Sequence, residues 1–208
     1  MEELLSLKSK IEKEKDWREE AIYEALKVRA ASSVSSMGNS VQDLMSEEKS
    51  PIAIFSELVQ SDLMKMSQNH SEFIIFEAFK KGIEEADHKR ELERKTLIQL
   101  RGLLKIYGLK CLSESMSSLF SIGYLAPHQV GTVEKALKRE IGSVRKVAIG
   151  LIEAMAPPDE FIFSAIGSKS KDPYLTLLEW ARKYNPMNKR DLRPGYEKYI
   201  SPFQRPKL

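Results

Sequence analysis

Three histidines, a single cysteine and one Glu-x-x-His spacing are the residues of this sequence whose types could do chemistry. Glu85-Ala86-Asp87-His88 puts a carboxylate and an imidazole one helical turn apart, the unit from which helical bundles build two-metal centres when it occurs twice beside further glutamates. It occurs once, because Ser67 and Leu125 stand three residues before His70 and His128. A solvated helix end is therefore expected there, and no metal site. Nucleophilic catalysis would pair Cys111 or a serine with a histidine and an orienting acid, and no local signature supports that; Cys111 is expected as a small apolar core residue. His70 falls near an apolar stripe and is expected as a hydrogen-bonded interior histidine. Asn69-His70-Ser71 has the form of a glycosylation acceptor, and without a secretory segment it is expected to stay unmodified. Neither a G-x-G-x-x-G fingerprint nor a Walker lysine loop is present, so no nucleotide site is read. No catalytic or cofactor-binding residue is assigned.

Composition narrows the classes further. Lys and Arg total 33 against 30 Asp and Glu, a net charge of +3, too even for a dedicated nucleic-acid surface. The 208 residues, 42% hydrophobic and 30% charged, suffice for one domain with a real core, or one and an appendage. A lone cysteine closes no internal disulfide, and charges in every turn near the N-terminus do not suit a signal peptide. A cytosolic or organellar protein is expected. No run approaches the roughly 18–20 apolar residues of a membrane helix, so no span is expected.

Helical periodicity then supplies the elements. Leu4, Leu7, Ile11, Ile22, Ala25, Leu26 and Val28 predict an amphipathic helix from about Glu2 to Ala31, fraying or breaking in the serine-rich run Ser32 to Asn39. The charged run Glu12 to Glu20 reads as a solvated face laced with ion pairs, with a partner-binding helix as the sharper alternative. Ser50-Pro51 suits an N-cap and first helical position. A long helix is expected from there, burying Phe55, Leu58, Val59, Leu63, Met66, Phe73, Phe76 and Ile83, with a polar break from Glu84 to Arg90. A third helix, about Glu91 to Phe120, carries Leu97, Leu100, Leu103, Leu104, Tyr107, Cys111 and Leu119, and Gly123 stops it. Pro127 opens a fourth, with Val130, Val133, Leu137, Ile141, Val144, Ala148, Leu151 and Met155, ended by Pro157-Pro158. Asp159 to Ile166 is a brief helix or extended piece, Asp172-Pro173 starts a helix to about Tyr184, and a tail with Pro186, Pro194, Pro202 and Pro206 wraps loosely. The fold class is all-α and four-helix-bundle-like with a short helical, proline-rich tail. The expected divisions are 1–31 (N-terminal helix and bundle entry), 32–160 (bundle) and 161–208 (short helix and tail).

Several short motifs in order make the reading specific. Val147-Ala-Ile-Gly-Leu-Ile-Glu-Ala-Met-Ala-Pro-Pro-Asp159, Ser164-Ala-Ile-Gly167, Tyr174, Leu178-Glu-Trp-Ala-Arg-Lys183 and Pro186-Met-Asn-Lys189 together resemble the end of the peroxisomal acyl-CoA oxidases. Upstream, Leu103-Leu-Lys-Ile-Tyr-Gly108 is similar to that family's Leu-Tyr-Gly helix end and Gly123-Tyr-Leu125 to its Gly-Tyr-Leu turn, while His70 resembles the histidine of its second bundle helix. The resemblance covers about Leu26 to Leu208. Two places depart from the pattern: Lys171-Asp172-Pro173 stands for the family's Asp-Gly, and Ser50-Pro-Ile-Ala-Ile-Phe55 replaces its tryptophan motif.

The resemblance implies an acyl-CoA oxidase/dehydrogenase-type C-terminal domain. In the complete family enzyme a glutamate removes the α-proton of acyl-CoA, hydride passes to FAD, and oxygen reoxidises the flavin, giving 2-enoyl-CoA and hydrogen peroxide. The family places its flavin domain, acyl-CoA cleft and catalytic glutamate upstream of the matched region. The chain alone is thus expected to bind no FAD and to be inactive. A structural or dimerising role is expected, through a homodimer or through association with flavin-containing oxidase domains; the alternative is a stand-alone helical interaction module. Pro206-Lys207-Leu208 keeps two residues of the Ser-Lys-Leu peroxisomal address, so an import receptor is an expected partner and the peroxisome the expected compartment.

Overall fold

A computed structural model describes residues 6–47, 49–162, 164–167, 172–185 and 195–204. The chain forms two units, Met1–Val147 and Ala148–Leu208. Among the described residues all regular structure is helical.

In the first unit, helix α1 (Glu19–Ser46) lies well C-terminal to its expected place. It runs through the serine-rich stretch that was expected to break it. Ser33 and Ser40 return their hydroxyls to the carbonyls of Arg29 and Ser36, at 3.0 and 3.1 Å, so these serines do not compete with the helix. Met37 is buried from the same stretch against Ile54 and Val59. Tertiary burial outweighs the weak local propensity. Before α1, by contrast, the expected helix is absent among the described residues: the carboxylate of Asp16 accepts the amides of Glu12 and Lys13 at 3.3 and 2.9 Å, folding Glu14–Asp16 into a 3-10 turn. Ile11 and Trp17 are buried there.

Ser50 caps as expected, its hydroxyl accepting the Ala53 amide at 3.2 Å, with Pro51 at the first helical position. The helix does not continue evenly, because a π turn at Ile54–Leu58 intervenes before α2 (Gln60–His88). Its wide bond, from the Val59 amide to the Ile54 carbonyl at 3.0 Å, lets two side chains five residues apart face Met37 together. Phe55, expected in the core, is exposed instead. α2 also runs through the expected polar break and ends at His88, where Arg90 takes a positive φ of 55° and the Glu91 amide reaches back to the Ala86 carbonyl at 3.0 Å.

α3 (Arg94–Glu114) starts later than expected and ends sooner, with Met116–Ser121 as a separate short helix after Ser115. Gly108, expected near a helix end, sits inside α3 where α1 and α2 cross it: a Cβ there would collide with Ile22 and with Phe76. Gly123 closes the connection with a φ of 68°, the left-handed conformation glycine adopts without strain. A 3-10 turn at Pro127–Gln129 leads into α4 (Val130–Val144), which ends at a second 3-10 turn, Arg145–Val147, rather than running on to Met155. α1 to α4 enclose one core that includes Ile22, Leu26, Phe76, Leu104, Leu112 and Val133.

The second unit holds α5 (Ala148–Met155), a short helix at Asp159–Ile162, α6 (Pro173–Tyr184), a π turn at Tyr196–Ile200 and the short helix Ser201–Gln204. Asp172 caps α6 as expected, its carboxylate accepting the Tyr174 and Leu175 amides at 2.8 and 3.1 Å.

Candidate functional site

The polar centre of the first unit is Arg29, a residue that carries charge on the apolar stripe of α1, three residues beyond Leu26. Its side chain has no solvent exposure. One end of the guanidinium lies 2.6 Å from the Glu72 carboxylate on α2; the other donates to the Cys111 carbonyl on α3 at 3.0 Å and to the Ser115 hydroxyl. Gln68 donates to the second oxygen of Glu72 at 2.8 Å, and the Ser115 hydroxyl donates to the Cys111 carbonyl at 2.6 Å. Of the guanidinium nitrogens, Nε has no hydrogen-bond partner among the described residues. One side turn further along α1, Asn69 on α2 donates to Ser33 at 2.6 Å.

Burial sets the protonation of the neighbouring groups. It pushes the Cys111 thiol up to about 11, with the Glu72 carboxylate adding to the effect, and pushes the Tyr107 hydroxyl up to about 12. A thiol held neutral in this way is not an activated nucleophile. Cys111 is therefore core, in line with its sequence reading.

A second ionic group ties α1 to α3 and α4. Arg101 lies 2.8 Å from Glu19, and Glu140, nearly buried, takes Lys105 at 3.4 Å and Arg139 at 3.0 Å. Arg101 also reaches Asp87 at 3.4 Å. A cleft of about 290 Å3 lies over this group, and another of about 310 Å3 lies beside Asp87, Arg90 and Leu92 at the turn between α2 and α3. Both are open to solvent; Arg101, Lys105 and Arg139 at the first are matched by Glu19 and Glu140, and Lys15, Arg18 and Glu20 line it as well. The pairs Arg29–Glu72, Arg101–Glu19, Arg101–Asp87 and Lys105–Glu140 each join two helices, which is structural work, while Arg139 meets Glu140 within α4.

His70 is exposed, not interior as its sequence position suggests, and the buried polar residue of that turn is its neighbour Asn69. A rotation of one residue along α2 accounts for the error, since the side chain that can satisfy its amide on Ser33 turns inward. Glu85 and His88 end α2, and among the described residues no group of three or more His, Cys, Asp or Glu side chains is arranged to hold a metal ion. Pro206, Lys207 and Leu208 lie outside the described residues, as does Pro186 to Lys189. Arg29 itself was missed. The signal was available: a lone arginine at a stripe position of one helix, with a glutamate on the next.

The architecture and its motifs have close counterparts. The family model described as acyl-CoA oxidase matches residues 18–205. Peroxisomal acyl-coenzyme A oxidase 1 of Cavia porcellus is 26% identical over 186 residues, which cover 89% of this chain and 27% of that protein. Peroxisomal acyl-coenzyme A oxidase 2 of Rattus norvegicus is 31% identical over 140 residues, 67% of this chain and 20% of that one. Among solved structures, Arabidopsis thaliana acyl-CoA oxidase 1 superposes with a TM-score of 0.76 at 24% identity, over 96% of this chain and 29% of that chain. Acyl-CoA oxidase-1 of Caenorhabditis elegans, solved with FAD and ATP, gives 0.71 at 21% identity over 88% of this chain and 27% of that chain. This chain thus spans less than a third of the relatives it matches. With the motifs, the all-α architecture and a family match that runs from the start of α1 into the tail, the chain belongs to the acyl-CoA oxidase family.

Proposed function

We propose that this chain serves as the C-terminal all-α domain of an acyl-CoA oxidase, with a structural and assembling role rather than a catalytic one. The complete enzyme would convert acyl-CoA and oxygen to trans-2-enoyl-CoA and hydrogen peroxide, the first oxidation of a peroxisomal fatty-acid β-oxidation cycle, with FAD held by upstream domains. The relatives are named peroxisomal, and the peroxisome is the compartment in which this chain would act. Pro206-Lys207-Leu208 would present its import signal to the receptor.

One observation carries the assembling role. The second unit leaves large apolar side chains in water: Ile149 at 76% exposure and Met155 at 67% on α5, Tyr174 at 82% on α6, and Phe203 at 88%. Large apolar side chains exposed on successive helices of this unit support an interface there. Because the chain spans about 27% of its relatives, the flavin-containing part of an oxidase, or a second oxidase subunit, is the partner that fits.

The mass of the endogenous polypeptide tests the reading, detected with an antibody to the Asp172–Arg193 region and read by peptide sequencing. A much longer product carrying flavin-domain peptides is expected. A product beginning at Met1 that co-purifies with no oxidase would overturn the domain role and leave a stand-alone interaction module.

A further inference from the structure

The cleft of about 290 Å3 over Glu19 gathers cations from separate parts of the first unit: Lys15 ahead of α1, Arg18 at its entry, Arg101 and Lys105 one turn apart on α3, and Arg139 on α4. Two acids, Glu19 and Glu20, line it with them, and these are committed elsewhere. Glu19 holds Arg101 at 2.8 Å, and Glu19 and Glu20 both act on Lys80 of α2. The cations are less fully matched. Arg18 is exposed, and its guanidinium has no hydrogen bond or ion pair among the described residues. Lys15 is exposed as well; the charge it meets is that of Asp16, whose carboxylate already accepts the amides of Glu12 and Lys13. Arg139, 41% exposed, gives Nε and one terminal nitrogen to a single oxygen of Glu140, which leaves its other terminal nitrogen over. Lys105 reaches Glu140 at 3.4 Å with one of the three donors an ammonium carries.

We propose that this cleft binds a small phosphate-bearing anion, a diphosphate group, through Lys15, Arg18 and the free end of Arg139. A guanidinium presents parallel N–H donors that match two oxygens of a phosphate, and an ammonium adds a compact charge beside them. The volume lies at the small end of ligand sites, which suits a diphosphate better than a protein segment. The two unmatched cations stand on fixed backbone. Trp17, which lies between them in the chain and is 1% exposed, donates its indole N–H to the Thr132 hydroxyl at 2.9 Å, so little ordering is left for the anion to impose. Because the cations come from the segment before α1, from α3 and from α4, an anion held among them ties these elements together and stabilises the first unit by mass action. Free diphosphate and the diphosphate of an organic ester share this chemistry. The inference concerns the first unit alone and holds whether or not the chain is part of an oxidase.

Calorimetric titration of the full chain with inorganic diphosphate and with uridine diphosphate tests it, at an ionic strength held at about 0.15 M so that general screening is constant. Saturable binding at one site is expected, tighter for the inorganic probe if the site takes the free anion and tighter for the nucleotide if it takes an ester. Arg18→Gln and Lys15→Gln are each expected to weaken it about tenfold or more, the loss of one charge-assisted hydrogen bond. Lys27→Gln, which removes the same charge from an exposed position on α1, is expected to leave it unchanged. Melting temperature gives an independent reading: without ligand the Arg18 and Lys15 variants are expected to melt with the unaltered protein, and with diphosphate they are expected to lose the rise that it shows. Absence of saturable binding by either probe would overturn the proposal. So would equal weakening in all three variants, or a rise in melting temperature that all of them share, since the effect would then be one of net charge and not of this cleft.

Discussion

Arg29 and Glu72 meet 2.6 Å apart between α1 and α2, and they are not equally buried: the arginine side chain has no exposure, whereas the glutamate keeps 17%. The asymmetry decides which half of the pair is costlier to lose. Removing Glu72 strands a guanidinium with no path to water, while removing Arg29 leaves a carboxylate that still reaches solvent and Gln68. Glu72→Ala is expected to cost about 3–5 kcal/mol and Arg29→Met about 2–3 kcal/mol, with the double variant recovering much of the loss because no charge stays stranded. Urea unfolding of the four proteins measures this, and a Glu72→Ala cost below that of Arg29→Met contradicts the account.

The titration of Cys111, Tyr107 and Tyr124 sets an alkaline limit on stability. Burial raises all three, the thiol from 9.0 to about 11 and the Tyr107 hydroxyl from 10.0 to about 12, with Glu24 adding to the rise at Tyr124. Each folded group holds its proton more tightly than the unfolded chain does, so its stabilisation is complete below pH 9 and is lost as pH climbs through the raised values. The urea midpoint is expected to be flat from pH 7 to 8.5 and to fall steadily from about pH 9 upward. Cys111→Ala removes the earliest part of that fall. A midpoint that holds steady to pH 11 would rule out the protonated core described here.

How far the sequence discloses this structure depends on whether short-range or long-range physics decides each residue. The caps at Ser50 and Asp172 and the stop at Gly123 were legible because a hydroxyl, a carboxylate or a missing Cβ acts within three residues. The family itself was legible in ordered short motifs. The span of α1 was not, since Ser33 to Ser40 stay helical through Met37 burying itself against Ile54 and Val59, residues later in the chain. Nor was the path of the chain before α1. Lys8 to Asp16 has helical composition, and the group that takes up the Ser9 and Ile11 carbonyls is Gln129, more than a hundred residues away. His70 was misplaced by one residue for the same reason, as the partner that draws Asn69 inward lies on another helix.

Gly108 marks a close crossing. With Ile22 and Phe76 lying where its Cβ would stand, and both fully buried, neither neighbour can give way into solvent. Gly108→Ala ordinarily gains helix propensity of about 1 kcal/mol. Overpacking here is expected to reverse the sign and cost about 1–3 kcal/mol net. Gly82 on α2 has open space around its Cβ position and serves as the control: Gly82→Ala is expected to stabilise. Thermal unfolding of the two variants separates the effects, and a stabilised Gly108→Ala would show that the helices are farther apart than described.

Arg90 offers a change of opposite sign at the end of α2. Its φ of 55° is the left-handed conformation that closes a helix when the following amide reaches back, as the Glu91 amide does to Ala86. An arginine pays for its Cβ in that conformation and a glycine does not. The side chain is exposed, and the ion pairs of this turn run through Arg101 to Asp87 rather than through Arg90, so little is lost with the guanidinium. Glycine also makes the unfolded chain more flexible, which takes back part of the gain. The net expectation for Arg90→Gly is a stabilisation of about 0.5–1 kcal/mol, raising the melting temperature by about 1–4 °C for a chain of this size. Arg90→Ala keeps the Cβ and is expected to leave stability unchanged, so the pair of variants distinguishes relief of backbone strain from removal of the side chain. Equal melting temperatures for the two would assign no strain to this position.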